Sequence, residues 1–262
     1  MSRPIVTLTT DFGEGSPYVA AVKGVILSIN PDVQLVDISH AVRPQDIGQA
    51  ARVLLDATPS FPPNTTHLAV VDPGVGSQRR IVYARIGDQD YVVPDNGLLS
   101  DLARRVPPSK IVELAESQFW LPTVSPTFHG RDIMAPVVAR LTTGLAPEML
   151  GPSVDALILL DRPEVRILGN QIEGEVTAVD SFGNLVTNIT AEMLEGVPVD
   201  DAVGIYCEEH ETRGIFTTYS DQPAMTLIAL IGSSGQLEMA IVEDSAKIML
   251  GVDEGAKVIV KW

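Results

Sequence analysis

The stretch Val70-Val71-Asp72-Pro73-Gly74-Val75-Gly76-Ser77-Gln78-Arg79-Arg80 decides how this chain is interpreted. Its first two residues are the end of a short apolar, β-branched run from His67 to Val71. Such a run, bounded by a Gly/Pro turn, is typical of a core strand. Asp72 then lies at the carboxyl end of the strand, where open α/β sheets bind ligands. The glycines let a ligand approach the backbone closely, and Arg79 is near enough in sequence to fold back over Asp72. The segment therefore predicts a catalytic turn or, alternatively, a loop with a structural Asp–Arg pair.

The N-terminal half alternates strand-like and helical patterns with short turns between them. In chain order these are a strand at 5–9, a helix at 18–29, a strand at 34–38, a helix at 46–57, the strand at 67–71, a hairpin of 80–85 and 90–94, a helix containing Leu98, Leu99 and Leu102, and a helix at 133–141. This alternation predicts a Rossmann-like α/β layered domain with a mostly parallel sheet. No P-loop or dinucleotide-binding glycine fingerprint occurs, so a nucleotide phosphate is not the expected ligand.

The pattern changes between residues 144 and 161, and helical periodicity is largely lost beyond Pro163. Short β-type runs follow at 171–179, 202–206, 226–231, 237–242 and 257–260. We predict an N-terminal α/β domain over residues 1–165 and a smaller C-terminal antiparallel β-barrel domain over residues 166–262. Residues 180–189 are predicted as a polar turn around an aromatic residue, and 231–235 as a turn of small residues. Together the turns suit a purine nucleoside, unless they are two ordinary β-turns.

Composition narrows the range of partners. The 262 residues carry a formal net charge of −16, and their 45% hydrophobic content is ample for a buried core. A field of this sign repels nucleic acid and anionic membranes but attracts a cationic small molecule. The single cysteine, Cys207, cannot form an internal disulfide, and no Cys/His cluster indicates zinc. Because the N-terminus passes directly into a strand and no long apolar stretch occurs, we expect a cytoplasmic protein.

Further polar residues follow predicted strands or precede predicted helices. Asp11 follows the first strand and so lies on the ligand-binding edge with Asp72, although a turn or helix-entry aspartate is the alternative. His129 precedes a helix on a polar turn, which is a usual location for working side chains. Asp132 has a plain alternative role as the N-cap of that helix. His40, after the second strand, is expected to be structural.

Five separated motifs share the order and spacing of one family. They are Thr9-Thr10-Asp11-Phe12-Gly13, Val71-Asp72-Pro73-Gly74-Val75-Gly76, Phe128-His129-Gly130-Arg131-Asp132, Asp180-Ser181-Phe182-Gly183-Asn184 and Gly232-Ser233-Ser234-Gly235. Over essentially its whole length, the chain resembles the S-adenosyl-L-methionine hydroxide adenosyltransferases, relatives of the S-adenosylmethionine-dependent fluorinase and chlorinase. The resemblance implies hydrolysis of S-adenosyl-L-methionine to adenosine and L-methionine without a cofactor. It also implies an α/β domain, a β-barrel domain and a homotrimer with active sites between subunits.

Matching positions carry the family's functional residues onto this chain. The resemblance places the Asp/Arg/His set at Asp72, Arg79 and His129, and the ribose-binding aspartate at Asp11. It places the adenine-side residues near Phe182, Asn184, Tyr219, Ser233 and Ser234, with Asp180 towards the methionine end. Relatives usually grip the methionine ammonium with an acid where this chain has Ser16, so Asp180 or Glu238 is expected to carry more of that role. The tryptophan of halogenating relatives is absent, and Gln45 lies near its position.

The chemistry expected is attack at the 5′ carbon. Methionine leaves the sulfonium as a neutral thioether without acid assistance, so the protein has to supply and aim a nucleophile. We hypothesise that Asp72, Arg79 and His129 surround one water: Asp72 and His129 are both candidate proton acceptors, and Arg79 holds Asp72 ionised. A carboxylate at position 72 favours water over halide. The alternatives are a halogenase, a non-catalytic S-adenosylmethionine or nucleoside sensor, and a hydrolase using a metal bound to Asp11, Asp72 and His129.

Overall fold

A computed structural model describes residues 3–262. The chain divides into two compact units, one ending at Leu160 and the other beginning at Asp161. The first unit is α/β and the second is almost entirely β, which confirms the predicted fold class. The predicted domain boundary between residues 165 and 166 remains a prediction. Within residues 3–262, no helix has the length and apolar character that crossing a membrane requires.

A six-stranded sheet forms the centre of the N-terminal unit. Its strands are β1 (Ile5–Thr10), β2 (Gln34–Ser39), β3 (Thr66–Val70), β4 (Ile81–Ile86), β5 (Gln89–Pro94) and β6 (Lys110–Glu113). They lie in the order β2-β1-β3-β5-β4-β6. The first four strands of that order pair in parallel, whereas β4 pairs antiparallel with β5 and β6. The parallel strands β1 and β3 therefore deliver Asp11 and Asp72 to the same edge of the sheet.

Four α-helices accompany this sheet. They are α1 (Pro17–Ile29), α2 (Ile47–Ala57), α3 (Ser100–Arg105) and α4 (Ala135–Leu141). Ser16 caps α1 by accepting the N–H of Tyr18, and Asp46 caps α2 by accepting the N–H of Gln49. Because α3 begins at Ser100, the prediction of a helix containing Leu98, Leu99 and Leu102 is correct only for Leu102, and Leu99 is the N-cap. The caps fix where the turns after β1 and β2 end.

The segment before α4 differs from its prediction. The helix expected from residue 133 begins instead with a π-helical turn, Gly130–Met134, in which the N–H of Ala135 donates to the carbonyl of Gly130. Asp132 lies inside this turn, so its alternative role as a helix N-cap is wrong. Its buried carboxylate accepts the N–H of Ser125 at 2.8 Å and pairs with the guanidinium of Arg131. Single π-helical turns are frequent at functional sites.

Cover on both faces of the sheet explains why the end of β3 and the residue after it are apolar. Leu68 and Val70 belong to the core cluster that includes residues of α1 and α4, whereas Ala69 and Val71 belong to the cluster that includes residues of α2 and α3. Successive side chains of a strand point to opposite faces, and a sheet covered on both faces requires apolar residues on both. The strand is therefore fixed from both sides directly before Asp72.

The C-terminal unit is an antiparallel, nearly closed barrel with one short helix, α5 (Ala246–Leu250). Its strands are β7 (Arg166–Ile167), β8 (Gln171–Val179), β9 (Leu185–Thr190), β10 (Gly204–Cys207), β11 (His210–Arg213), β12 (Leu227–Ile231), β13 (Gln236–Ile241) and β14 (Lys257–Lys261). The order is β11-β10-β14-β8-β9-β13-β12, with β7 on β8. The hydroxyl of Thr212 on β11 donates to the carbonyl of Leu227 on β12, which brings the end strands together.

One prediction for this unit is wrong over half its length. Residues 180–189 are not one polar turn, because the turn ends at Asn184 and β9 starts at Leu185. Leu185 and Ile189 are fully buried in the barrel core. Thr187, also fully buried, donates its hydroxyl to the carbonyl of Leu237 and so satisfies its polar group inside the sheet.

Candidate active site

The turn after β3 folds Arg79 back onto Asp72. The N–H of Val75 donates to the carbonyl of Asp72, and the hydroxyl of Ser77 donates to the carbonyl of Gly74. Gly76 has a φ of +79°, and a side chain there would collide with the carbonyl oxygen of Pro126. Glycine at this position therefore permits both the left-handed turn and its close contact with the segment before His129.

Asp72, Arg79 and His129 form one continuous hydrogen-bonded set. Nε of Arg79 donates to both carboxylate oxygens of Asp72, at 3.0 and 2.8 Å, and Nη2 donates to Oδ2 of the same carboxylate. Nη2 also lies 3.1 Å from Nδ1 of His129. The side chains of Asp72 and Arg79 are only 5% and 11% exposed. The structure thus brings together the three residues that the sequence singled out.

This geometry determines the tautomer of His129. A guanidinium has only donors, so Nδ1 of His129 has to accept, and the neutral ring carries its proton on Nε2. Partial burial, followed by the positive charge of Arg79, lowers the pKa of His129 below its ordinary value of 6.5. The ring is therefore neutral at pH 7 and presents an N–H donor on the nitrogen that Arg79 does not occupy.

The π-helical turn holds His129 against the end of β3. The carbonyl of Phe128 accepts the N–H groups of Arg131 and Asp132, which begins the turn directly after His129. A side chain on Gly130 would come within 3.0 Å of the side chain of Val70, two residues before Asp72. The absence of a side chain at position 130 thus allows the histidine turn to pack closely on the strand that carries the carboxylate.

A cavity of about 270 Å³ opens beside this set. Asp11, Asp72 and His129 line it, together with Phe12, Gln45, Val70, Pro73, Val75, Thr127, Phe128 and Gly130. The carboxylate of Asp11 accepts the N–H of Gln45 at 2.8 Å, and Gln45 has a φ of +66°. The ribose-binding candidate and the Asp/Arg/His set therefore share one concave surface.

The aromatic residues of this cavity had no predicted role. The rings of Phe12 and Phe128 meet edge to face with centroids 5.8 Å apart, and Tyr18 packs edge to face against both. The guanidinium of Arg131 lies 4.7 Å from the ring centroid of Phe128. Their positions in the sequence could have indicated them, because Phe12 directly follows the candidate residue Asp11 and Phe128 directly precedes His129.

In the C-terminal unit, Asp180 is used within its own turn. Oδ1 accepts the N–H groups of Phe182 and Asn184, at 2.9 and 2.8 Å, and Oδ2 accepts the side-chain amide of Asn184. Phe182 is 78% exposed, whereas Asn184 is buried. The turn therefore exposes the ring of Phe182 to solvent. Asp180 can bind a ligand only through carboxylate lone pairs that its bonds to Phe182 and Asn184 do not use.

The second turn, which carries Ser233 and Ser234, lies at the other end of the β9–β13 ladder. β9 begins opposite Met239 and ends opposite Gln236, so the turns at 180–184 and 232–235 are separated by this ladder. Within the barrel the two turns therefore lie at opposite ends of this ladder. Glu238 lies between them: it pairs with Val186, it is buried, and its carboxylate occupies the space where a side chain on Gly232 would lie.

Tyr219 completes this part of the barrel. Its hydroxyl donates to the carboxylate of Glu238 at 3.0 Å. Burial and the negative charge of Glu238 raise the pKa of Tyr219 to about 12, so the phenol stays protonated and keeps its donor at neutral pH. Asp180 adds to this shift through its charge, which links the first turn to the same acidic surface.

The candidate metal ligands are not arranged as a metal site. Within residues 3–262, no three His, Cys, Asp or Glu side chains are grouped so that they could hold a metal ion. Asp11 is bonded to the Gln45 backbone, while Asp72 and His129 are bonded to Arg79. The metal-dependent alternative therefore lacks a ligand set in the part of the chain that the structure describes.

The chain matches two protein-family models, one in each part of the sequence. Residues 6–151 match the model of the SAM hydroxide adenosyltransferase N-terminal domain, and residues 174–259 match that of the C-terminal domain. The chain belongs to the SAM hydroxide adenosyltransferase family. The two matches cover both the N-terminal and the C-terminal part of the chain, and the resemblance drawn from five motifs is confirmed.

Individual relatives agree with this membership. An (R)-S-adenosyl-L-methionine hydrolase from Thermus thermophilus is 40% identical, with 98% of each chain covered. A fluorinase from Nocardia brasiliensis is 29% identical over 75% of each chain. A crystal structure of an uncharacterized conserved protein from Thermotoga maritima superposes with a TM-score of 0.91 at 35% identity, covering 98% of this chain and 100% of that one. The adenosyltransferase thus resembles the hydrolase over more of its length than the fluorinase.

Proposed function

We propose that this adenosyltransferase hydrolyses S-adenosyl-L-methionine to adenosine and L-methionine without a cofactor. The observation that carries the proposal is the Asp72, Arg79 and His129 set beside a cavity that Asp11 also lines. The water oxygen bonds to the 5′ carbon, and the carbon–sulfur bond breaks with its electron pair going to sulfur. Methionine leaves as a neutral thioether, one water proton stays on the 5′ hydroxyl, and the other passes to an acceptor.

The tautomer of His129 decides between the two acceptor candidates. Nδ1 faces the Arg79 guanidinium, and a proton added there would meet a permanent positive charge. Asp72 is the remaining acceptor, since its Oδ1 accepts only from Nε of Arg79 and keeps a second lone pair, whereas Oδ2 accepts from both Nε and Nη2. In this mechanism Asp72 takes the proton, Arg79 holds the Asp72 carboxylate in place through its hydrogen bonds, and the Nε2–H of His129 orients the water.

The same charges favour water over halide as the nucleophile. A halide next to the buried Asp72 carboxylate would face like-charge repulsion at short range in a poorly solvated site. Water instead donates a hydrogen bond to that carboxylate. A sulfonium is itself a cation, so it is attracted to a chain with a net charge of −16 and to aromatic faces such as those of Phe12 and Phe128.

The relatives' names carry a stereochemical descriptor that we extend to this chain. In (R)-S-adenosyl-L-methionine the α carbon is already specified as L, so the (R) descriptor refers to the sulfonium, a stable pyramidal stereocentre. When the water is held in one position, only one sulfonium epimer can bind its methionine arm and still place the leaving sulfur in line with the attacking water. We therefore propose the (R) epimer as the preferred substrate.

We also propose roles for the other residues that the resemblance singles out. Asp11 binds the ribose, and the C-terminal residues Phe182, Asn184, Tyr219, Ser233 and Ser234 serve the adenine side, with Asp180 and Glu238 towards the methionine ammonium. Ser16 caps α1, so its hydroxyl is already engaged in place of the acid found in relatives. A homotrimer with sites between subunits and a cytoplasmic location also remain predictions.

The test supplies each sulfonium epimer separately in water enriched in ¹⁸O, with products identified by mass spectrometry. We expect adenosine carrying one ¹⁸O at the 5′ position, methionine without label, and faster turnover of the (R) epimer. Chloride- or fluoride-dependent formation of 5′-halogenated adenosine would instead indicate a halogenase. Ligand binding without adenosine release would favour a sensor, and loss of activity in EDTA would favour the metal-dependent alternative.

A further inference from the structure

Strand β1 carries two buried threonine–histidine hydrogen bonds, and the threonine of one of them also bonds to the backbone of the loop that lines the cavity. Thr10, the last residue of β1, is fully buried, and its hydroxyl lies 2.9 Å from Nδ1 of His40. The same hydroxyl oxygen accepts the N–H of Phe12 at 3.3 Å. Asp11, the residue between Thr10 and Phe12, lines the cavity.

The opposite side of the His40 ring is also engaged. Nε2 of His40 lies 3.0 Å from Oδ1 of Asp37, whose other oxygen accepts from Nζ of Lys23 at 2.6 Å. Because a carboxylate only accepts, the proton of the neutral ring belongs on Nε2, and Nδ1 accepts from the Thr10 hydroxyl. The Thr10 oxygen is then free to accept from Phe12, so the hydrogen bonds run in one direction from the backbone of the cavity loop through Thr10 to His40, and Asp37 lies beside the other ring nitrogen.

His40 holds the cavity loop at a second point. Its backbone carbonyl accepts the N–H of Gly13 at 2.9 Å. The loop 10–13 is therefore attached to His40 on both sides of Asp11, once through the Thr10 hydroxyl and once through the backbone. A third attachment comes from the N–H of Gln45, which donates to the Asp11 carboxylate itself.

We propose that His40 and Thr10 are positioning residues for Asp11, and that they act through the loop 10–13. This inference rests on the proposed function in one respect, namely that Asp11 contacts the ribose of the substrate. His40 is 4% exposed and Thr10 is fully buried, so they act on Asp11 through its backbone. A carboxylate fixed in advance binds a ribose hydroxyl without the ordering cost that a mobile loop would bring.

The chain offers a matched control on the same strand. Thr7 lies three residues earlier on β1, is also fully buried, and its hydroxyl lies 2.7 Å from Nδ1 of His67. Thr7→Val and Thr10→Val thus remove the same kind of group in the same kind of surroundings, but only Thr10 contacts the cavity loop. Thr10→Ser restores the hydroxyl and serves as the conservative variant.

We expect Thr10→Val to raise KM for S-adenosyl-L-methionine and Kd for adenosine about tenfold, the size expected from one lost hydrogen bond. The value of kcat should change less, because Asp11 binds the part of the substrate that does not react. Thr7→Val should leave KM and kcat near those of the wild type, and Thr10→Ser should recover KM. Equal increases in KM for the two valine variants would overturn the inference.

Hydrogen exchange gives a second readout that needs no activity. In Thr10→Val the amides of Phe12 and Gly13 should exchange faster, whereas in Thr7→Val they should not. Unchanged protection of these amides in Thr10→Val overturns the inference, whatever the kinetics. If the wild type releases no adenosine, the proposed function fails, and the contact of Asp11 with ribose fails with it. The exchange difference would then still measure the attachment of the loop.

Discussion

Arg79 is the one residue that contacts both other members of the Asp72, Arg79 and His129 set, through a bidentate pair on one side and Nδ1 of His129 on the other. Arg79→Lys keeps the charge but loses the planar fork, so it can satisfy Asp72 or His129 but not both. We expect kcat to fall by a factor of about 10² to 10³, the range typical of losing one preorganised donor. Steady-state kinetics of adenosine release measures this.

The adjacent arginine supplies the control for that substitution. Arg80 pairs with Asp95, which does not line the cavity. Arg80→Lys retains a cation for the buried Asp95 carboxylate and should leave kcat within about twofold of the wild type. Similar losses in both variants would mean that Arg79 acts through the stability of the turn rather than on the reaction.

The pH dependence of the reaction follows from the state of His129. Partial burial and the charge of Arg79 lower its pKa below 6.5, so the neutral, donating ring persists into mildly acid solution. We expect the acid limb of kcat/KM to have an apparent pKa below 6.5, with activity lost as pH falls through it. Following the His129 ring proton by NMR gives its pKa directly, and a midpoint at or above 6.5 would contradict the proposed tautomer.

The sequence revealed these residues but not their contacts. Asp72 and Arg79 are close in the chain and belong to one turn, so their pairing was predictable from spacing. His129 lies 50 residues after Arg79, and the close packing of Gly130 on Val70 and of Gly76 on Pro126 brings it to the guanidinium. The positive φ of Gln45 was not predictable, because nothing local in the sequence distinguishes this glutamine from its neighbours.

At the scale of elements, the turn after β3 and the π-helical turn depend on close backbone approach. Gly76→Ala meets two obstacles, a left-handed φ and the carbonyl of Pro126. Gly87→Ala, in the β4–β5 hairpin, meets only the first, because its φ is +56° and nothing lies within 4 Å of the added carbon. We expect Gly87→Ala to cost about 1 kcal/mol of unfolding free energy with normal activity.

We expect Gly76→Ala to cost more stability than Gly87→Ala and to lower kcat at least tenfold, because relieving the collision moves the Arg79 turn away from the His129 segment. Urea denaturation and steady-state kinetics on the two variants measure both effects. Normal kcat in a folded Gly76→Ala protein would show that the turn tolerates this displacement.

Helices and strands with a regular hydrophobic pattern were predictable from the sequence. Elements in which a buried polar residue or an irregular turn departs from the regular pattern were not. The strands and helices around the parallel sheet follow the patterns of their residues. β9 was missed because Thr187 and Asn188 interrupt its apolar character, although Thr187 is buried with its hydroxyl satisfied by a carbonyl. The π-helical turn was missed because its single wide hydrogen bond leaves the hydrophobic pattern of a helix almost unchanged.

At the scale of the molecule, the fold class followed from the alternation of strand and helix patterns and the later β-type runs, and the family followed from the order of five motifs. How the two C-terminal turns serve one ligand did not follow, because the β9–β13 ladder separates them within the barrel. Pattern alone gives the face or the end on which a residue lies. It does not give the distance between two loops, which depends on strand register.

The stability of the molecule in acid should depend on His67, which lies far from the chemistry. This ring is fully buried, with Thr7 on Nδ1 and Gln89 on Nε2, and burial lowers its pKa to about 4. In the unfolded chain it titrates near 6.5, so between pH 6.5 and 4 the unfolded state binds a proton that the folded state does not. The free energy of unfolding is therefore unaffected by this titration above pH 6.5 and decreases as pH falls below it, by about 3 kcal/mol at pH 4.

A variant without a titratable ring isolates this effect. His67→Gln should be less stable than the wild type at pH 7.5, because Gln fits the two hydrogen bonds poorly, but the difference should shrink steadily between pH 6.5 and 4. Urea denaturation at several pH values measures it. Trp120 lies in the N-terminal unit with His67, so a Trp262→Phe background makes the fluorescence report on that unit. A difference that stays constant across this pH range would mean that His67 is already protonated in the folded protein or that its pKa is the same in both states.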